Sequence, residues 1–358
     1  MEEEEETDVG DVMLKANSLL SSMGFSTSMP AEPQKANKQN NQQQEEKRDT
    51  EDDQNEALEK ALTALETENY NFTAEQLLHF ERKGFLATPR LCAAGEVAAA
   101  APALRRAFAG RRLDAYRQKI QVILGPEALE GEECSTVEGC QALLERKLPG
   151  EMIPFLQVFN VWRTGGRAAA RFVRAGRFHR AAAALLGVPR VRLYQDSMFV
   201  KRPFDGPTNW HSDLNMAPLD CNSFVTVWIP LQPVPARAEG GTALTFAAGS
   251  HRDFALAYWQ DPHAGRDLEG RYEIFNTGKL DLGDATWHHG WTLHSAPENT
   301  VSGSTREAIA ISFIADGTKV LSDEAGFSPD DEDSWSYEAW LNEIGEDRII
   351  DHPLVPLL

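Results

Sequence analysis

The spacing of apolar positions changes from helical to extended at Gly187. Recurrence three and four apart builds one face of a helix, and recurrence every second residue builds one face of a strand. In TAEQLLHFERKGFL, Thr73 is placed to cap a helix with Gln76 three residues on; Leu77, Leu78 and Phe80 point to a core, and Gly84 ends the run. GEVAAAAPALRRAFAGRRLDAYRQ and GGRAAARFVRAGRFHRAAAALLG are rich in alanine and arginine and closed by glycine, which predicts further helix. Beyond Gly187 come six short β-branched and aromatic runs: RVRLYQDSMFVK, SFVTVWIPL, TALTFAAGSH, RYEIFNTGKL, DATWHHGWTLHS and REAIAISFIADG. Gly, Pro, Asp and Asn separate them. They predict a mainly β core, a sandwich or barrel, with helices packed on its outside.

The first sixty residues follow neither period. They hold 16 Asp/Glu against 6 Lys/Arg, so a sixth of the chain carries half of the formal charge of -20. Within them, EPQKANKQNNQQQEEKRDTEDDQNE is polar, Gln/Asn-rich and without aromatics. Such a segment buries too little apolar surface to offset its ordering entropy, which predicts a disordered acidic tail over 1–66 and a folded domain over 67–358. An apolar island, VMLKANSLLSSMGF, is either a helix recognised by a protein partner or a frayed part of that tail. The acidic balance offers nucleic acid no footing. No run approaches the roughly 18 apolar residues of a membrane helix, and MEEEEETDVG is the opposite of a basic, apolar signal peptide. PLVPLL does not match a Ser-Lys-Leu peroxisomal address. The expected compartment is the cytoplasm, with no membrane partner. Cys92, Cys134, Cys140 and Cys221 fit no CxxC or zinc-finger spacing and are too sparse for a disulfide scaffold.

The candidate chemistry lies in the extended half. Two His-x-Asp pairs occur there, His211 with Asp213 in NWHSDLNM and His251 with Asp253. Residues i and i+2 of an extended segment project to one side, so either pair can converge on one point. A non-haem Fe(II) site needs two histidines and one carboxylate, with open positions opposite. GDATWHHGWTLHSAPENTVSGSTREAIAISF supplies His288, His289 and His294, then Arg306. On its last strand Arg306, Ala308, Ala310 and Ser312 share one face, and Ile309, Ile311 and Phe313 share the other. The small, polar face suits a dicarboxylate gripped by a bidentate guanidinium; the alternative is an edge-strand arginine in a surface salt bridge. Arg167, Arg171, Arg174 and Arg177 recur three or four apart, as a basic strip for substrate phosphates or as a solvated helix face. Trp210, Trp228, Trp287 and Trp291 belong either to an apolar pocket wall or to the core.

Taken in order, TAEQLLHFERKGFL, RLYQDSMFVKRP, NWHSDLNM, VTVWIPLQP, GGTALTFAAGSHR and GDATWHHGWTLHSAPENTVSGSTREAIAISF resemble the phytanoyl-CoA dioxygenase family of Fe(II)- and 2-oxoglutarate-dependent oxygenases. The resemblance runs from about residue 70 to 320. It implies a double-stranded β-helix, a jelly-roll barrel of the cupin kind buttressed by N-terminal and flanking helices. It places the iron ligands on His211, Asp213 and His294, and the arginine for the far carboxylate of 2-oxoglutarate on Arg306. Lys201 and Trp228 match positions that approach the cosubstrate. His289 matches a position that is not usually a ligand, His288 has no clear counterpart, and His251 falls in a turn. Two departures bear on cosubstrate contacts: Ala296 stands where a serine often follows the distal histidine, and Ser212 stands between the claw residues.

The resemblance implies an Fe(II) cofactor with 2-oxoglutarate and O2 as cosubstrates. The reaction is hydroxylation of an unactivated C–H bond, with release of succinate and CO2. The substrate would be a small molecule or an acyl(-CoA) compound. Two other readings stay open: an inactive metal-binding or interaction module of the same fold, and a cupin-like enzyme using Zn or Mn without 2-oxoglutarate. Loops such as GTKVLSDEAGFSPDDEDSWSYEAW and YWQDPHAGRDLEG would set specificity.

Overall fold

The structure is a computed structural model that describes residues 52–130, 132–150, 153, 155–253, 268–321, 340–341, 343–345 and 348–358. The apolar island and most of the two loops expected to set specificity lie outside these residues, as does the tail up to residue 51. Among the described residues there are twelve strands: β1 (Phe85–Thr88), β2 (Leu156–Phe159), β3 (Val191–Lys201), β4 (Thr208–His211), β5 (Leu219–Asp220), β6 (Phe224–Pro230), β7 (Thr245–Ala247), β8 (Ile274–Asn276), β9 (Ala285–His289), β10 (His294–Ala296), β11 (Arg306–Ala315) and β12 (Lys319–Val320). The large sheet has the order β1-β9-β6-β11-β3-β2 and the small one β4-β10-β7-β8; β5 and β12 form a separate pair. All of these pairings are antiparallel. Each of the six expected extended runs contributes a strand. β1, β2 and β4 escape the sequence reading because four residues are too few to display a period.

The helices cover one face of the large sheet. We number α1 (residues 52–67), α2 (Ala74–Lys83), α3 (Ala94–Gly110), α4 (Arg112–Leu124), α5 (Val137–Lys147), α6 (Val161–Thr164), α7 (Gly166–Val173) and α8 (Gly176–Leu186). Ile309, Ile311 and Phe313 of β11 join Val225, Val227 and Met198 in the main core, against Leu104, Phe172 and Phe178 of the helices. The greasy face of β11 is thus the packed face, as its alternation predicts.

Residues 52–66 correct the expected tail. They are helical, and Leu62 and Leu65 are buried in the main core. Glu59 and Glu66 of this helix take Arg171 at 2.7 Å each, and Glu68 just beyond it takes Arg177 at 2.8 Å. The composition argument failed because the segment is polar on one side only, and its few leucines fall on the side that packs.

At α2 the expected cap is present. The Gln76 backbone N–H donates to Thr73 Oγ1, and the Thr73 N–H donates to Gln76 Oε1. Phe80 is buried, whereas Leu78 is 43% exposed, against expectation. Gly84 has φ +79°, and a Cβ there would lie 2.4 Å from both His251 Nδ1 and Thr292 Oγ1. Its lack of a side chain therefore both ends α2 and lets the chain turn into β1. Each alanine/arginine segment breaks once, at Arg111 and at Arg174. The second break puts Arg177 on α8, where it meets Glu96 at 2.5 Å in a buried pair. The arginine strip divides: Arg171 and Arg177 clamp α7 and α8 to glutamates, whereas Arg167 and Arg174 are exposed as a solvated face would have them, Arg174 lying over the Trp162 ring.

All four cysteines are free. Among the described residues no helix is long and apolar enough to cross a membrane.

Candidate metal centre and cosubstrate pocket

β4 and β10 pair so that His211 and His294 stand opposite each other, with ring centroids 4.1 Å apart. Ser212 keeps extended backbone, φ -127° and ψ 137°, so Asp213 returns to the side of His211 as the i, i+2 rule requires. Asp213 then opens a 3-10 turn to Met216. The turn is pinned by the Leu214 N–H, which donates to Gly290 O at 2.9 Å. A Cβ on Gly290 would fall 2.8 Å from the Leu214 Cβ and 2.9 Å from Phe224. Glycine is what lets β9 approach the turn this closely. The outcome is that one donor atom each from His211, Asp213 and His294 lie within 4.8 Å of one another.

Hydrogen bonds aim these donors. His211 Nδ1 lies 2.8 Å from Asn209 O and His294 Nδ1 lies 3.0 Å from Thr292 O. A backbone carbonyl only accepts, so each Nδ1 carries the proton and each Nε2 keeps a lone pair for a metal. Asp213 Oδ2 accepts from Thr226 Oγ1 at 2.8 Å and faces His288 Nε2 at 3.0 Å. Oδ1 is left toward the two histidines, 3.5 Å from His294 Nε2 and 3.8 Å from His211 Nε2. Burial acts to raise the Asp213 carboxyl, but positive charge on the neighbouring His294, His288 and His211 rings, where one of them holds a second proton, outweighs it and keeps the group well below the usual range. Burial also keeps His294 far below its ordinary value, so it is neutral, as a ligand must be. This N2O donor set fits a divalent first-row metal.

The support for Asp213 comes from the large sheet. Register places His288 (β9), Thr226 (β6), Ser312 (β11) and Gln195 (β3) in one polar row across four strands. Thr226 and Ser312 hydroxyls are 2.9 Å apart. His288 is thus a positioning residue for the carboxylate. The HH dipeptide carried the signal, since neighbours on a strand face opposite ways and only one of the two can look inward. His289 looks outward; its ring packs 5.3 Å from His251, and burial pushes it down to about 4. The competing pair dissolves: Asp253 accepts from Arg271 and Tyr272, and His251 Nε2 faces Glu81 O, both away from the cluster.

A cavity of about 280 Å³ runs from His211, Asp213 and His294 to Arg306, lined between them by Thr226, Trp228, Ala296, Ala310 and Ser312. Arg306 is 6% exposed, its Nε donates to Thr242 Oγ1 at 3.3 Å, and its guanidinium lies 5.3 Å from the centre of the Trp228 ring. Burial pushes it down to about 10, with Asp205 opposing. Lys201 stands opposite Arg306 in register and is fully buried. Its Nζ donates to Pro297 O at 2.7 Å rather than lining the cavity, and burial, then the Arg306 charge, push it down to about 7. Ala296 lines the cavity in place of a serine. Trp287 is fully buried in the main core, so of the four tryptophans Trp228 is the one that walls this cavity.

One residue at this cavity escaped the sequence reading. Lys119 of α4 is 4% exposed, lines the cavity and sits 5.0 Å from the centre of the Phe155 ring. The helix buries Ala115, Tyr116, Lys119 and Ile120 as one stripe. A lysine at a stripe position was the available sign.

The model of the phytanoyl-CoA dioxygenase family matches residues 80–308, which include His211, Asp213, His294 and Arg306. This chain belongs to the phytanoyl-CoA dioxygenase family. Among solved structures, the fold of this family member is similar to two non-heme alpha-ketoglutarate-dependent enzymes of nogalamycin biosynthesis. The epimerase SnoN is 20% identical, with 79% of this chain and 96% of that chain covered and a TM-score of 0.56. The carbocyclase SnoK is 20% identical, with 80% and 97% covered and a TM-score of 0.55. At such identities the likeness concerns the fold: antiparallel sheets of jelly-roll type with flanking helices. No curated protein matches the chain.

Proposed function

We propose that this chain is a non-haem Fe(II)- and 2-oxoglutarate-dependent dioxygenase that hydroxylates an unactivated C–H bond of a small molecule, or of the reacting end of an acyl chain. The observation that carries the proposal is one continuous cavity with two aimed imidazoles and a carboxylate at one end and a buried guanidinium at the other. We read the two larger sheets as the halves of a double-stranded β-helix with the site between them.

His211, Asp213 and His294 would hold Fe(II) through Nε2, Oδ1 and Nε2. When bound, iron with 2-oxoglutarate and O2 supplies the oxidising chemistry, with succinate and CO2 as coproducts. The chain's own residues bind and orient. Thr226 and His288 fix the carboxylate, and the carbonyls of Asn209 and Thr292 fix the imidazole tautomers. Arg306 offers donors to the far carboxylate of the cosubstrate, with its plane set by Trp228 beneath and Thr242 beside. Lys201 adds positive potential behind it. Phe199, Leu244 and Met216 give the cavity apolar wall that keeps water out. The cavity sits at the small end of the ~300–1,000 Å³ range of ligand sites, which favours a compact substrate or an inserted end of a larger one.

The test is anaerobic. Adding Fe(II) and then 2-oxoglutarate to purified protein produces the weak visible charge-transfer band of an iron-bound keto acid. His294→Ala abolishes the band, and Arg306→Ala moves it to higher 2-oxoglutarate concentration. Iron-loaded protein without a band would sink the proposal.

A further inference from the structure

Lys201 and Arg306 face each other in register on β3 and β11, beside the end of the cavity farther from the metal cluster. Both are buried, Lys201 completely. A buried cation normally brings a carboxylate with it, as Arg177 brings Glu96. Here the hydrogen-bond partners are neutral. Lys201 Nζ donates to Pro297 O at 2.7 Å and lies 3.5 Å from Thr208 Oγ1, and Arg306 Nε donates to Thr242 Oγ1. Asp205, the buried acid that acts on both cations, is committed to Arg202: one carboxylate oxygen lies 3.1 Å from its guanidinium, and the other accepts its backbone N–H at 2.8 Å. Glu298, beyond β10, also acts on Lys201, but it is exposed and screened by solvent.

A guanidinium keeps its proton in such surroundings, whereas an ammonium gives it up readily. Burial, then the Arg306 charge, push Lys201 down to about 7 against the pull of Asp205 and Glu298, while Arg306 at about 10 stays charged. Above neutral pH the empty pocket therefore holds one full positive charge rather than two. A neutral amine still donates to Pro297 O, so the lysine keeps its place when the proton leaves. A carboxylate seated on Arg306 brings negative charge beside the lysine, and Thr208, which lines the cavity, links Nζ to that space. Nearby negative charge favours the ammonium.

We propose, on the reading of Arg306 as the anchor of the cosubstrate, that 2-oxoglutarate binds together with a proton, which Lys201 takes from solvent, so that the pocket holds two positive charges only while it holds a dicarboxylate. The lysine acts from behind the cavity wall, without touching the ligand. Because binding raises the affinity of the amine for its proton, 2-oxoglutarate is held most tightly below neutral pH and less tightly as pH rises through the empty pocket's value of about 7.

Anaerobic titration calorimetry of the Fe(II)-loaded full chain with 2-oxoglutarate, repeated in HEPES and in Tris, counts the proton because the two buffers differ in ionisation enthalpy. The expected result at pH 8 is uptake of about 0.5–0.9 proton per 2-oxoglutarate, with affinity about tenfold lower at pH 8.5 than at pH 7. Lys201→Met, which keeps the length of the side chain and removes its proton site, binds without uptake, and its affinity changes less than about threefold over the same range. Circular dichroism checks the fold of this variant, and the wild-type proton count decides alone if it misfolds. Binding of 2-oxoglutarate with no proton uptake overturns the proposal and leaves the dioxygenase reading standing. Uptake that persists in Lys201→Met does the same. No binding of 2-oxoglutarate at any pH overturns both.

Discussion

The two faces of the large sheet are made by the same strands and obey different rules. On the helix-covered face Ile309, Ile311 and Phe313 pack into the main core, and the buried Arg177 of α8 is matched by Glu96. On the inward face Ala308, Ala310 and Ser312 leave space, and Arg306 and Lys201 have no carboxylate within 4.0 Å among the described residues. Burying a charge costs far less when its partner is buried with it. The partnered face has the composition expected of stability, and the unpartnered face that of a site waiting for an anion.

The largest effect comes from removing the group on which the inward face converges. Asp213→Ala leaves no iron after desalting, measured by metal analysis, whereas Asp253→Ala retains it at the wild-type level; the reverse would exchange the two His-x-Asp pairs. Next is the partnered face. Glu96→Ala takes the buried carboxylate from Arg177, leaving it the exposed Glu68, and lowers unfolding free energy by about 2–3 kcal/mol in denaturant titration, with the 2-oxoglutarate affinity of the folded fraction unchanged. The inward counterpart behaves oppositely: Arg306→Ala weakens 2-oxoglutarate binding by about 30-fold or more, on the order of 2 kcal/mol, with little loss of stability. Loss of stability there as large as for Glu96→Ala would erase the distinction between the faces.

The smallest effect is a pH slope. Burial raises the folded-state Asp196 carboxyl to about 7, above its unfolded value. The folded protein therefore holds that proton longer, so the stability it contributes is complete below about pH 4 and is lost as pH rises through about 7. Asp196→Asn removes this decline from stability measured between pH 4 and pH 8. An unchanged slope would show that other groups set it.

How much of this was legible follows from how local each signal is. Thr73 and Gln76 cap α2 across three residues, and the alternation of β11 is written in ten, so both could be read directly. His211 and Asp213 are two apart and needed only an extended Ser212. By contrast His288 supports Asp213 across 75 residues, and Arg177 finds Glu96 across 81. Partners at that separation are fixed by sheet register and helix packing, which no spacing rule contains. The same holds for the tail: Leu62 and Leu65 read as sparse apolar residues until the helices they meet are in place.

β1 pairs with β9, about 200 residues later in the chain, and β11 closes on β3 about 110 residues after it. During synthesis at roughly 5–20 residues per second, the first strand to emerge waits ~10–40 s for its neighbour. His294, on β10 of the small sheet, leaves the ribosome after nine of the strands, so the three side chains of the metal cluster come together late in synthesis. A nascent chain of this protein must therefore keep half a sheet with open edges in solution until its later strands emerge.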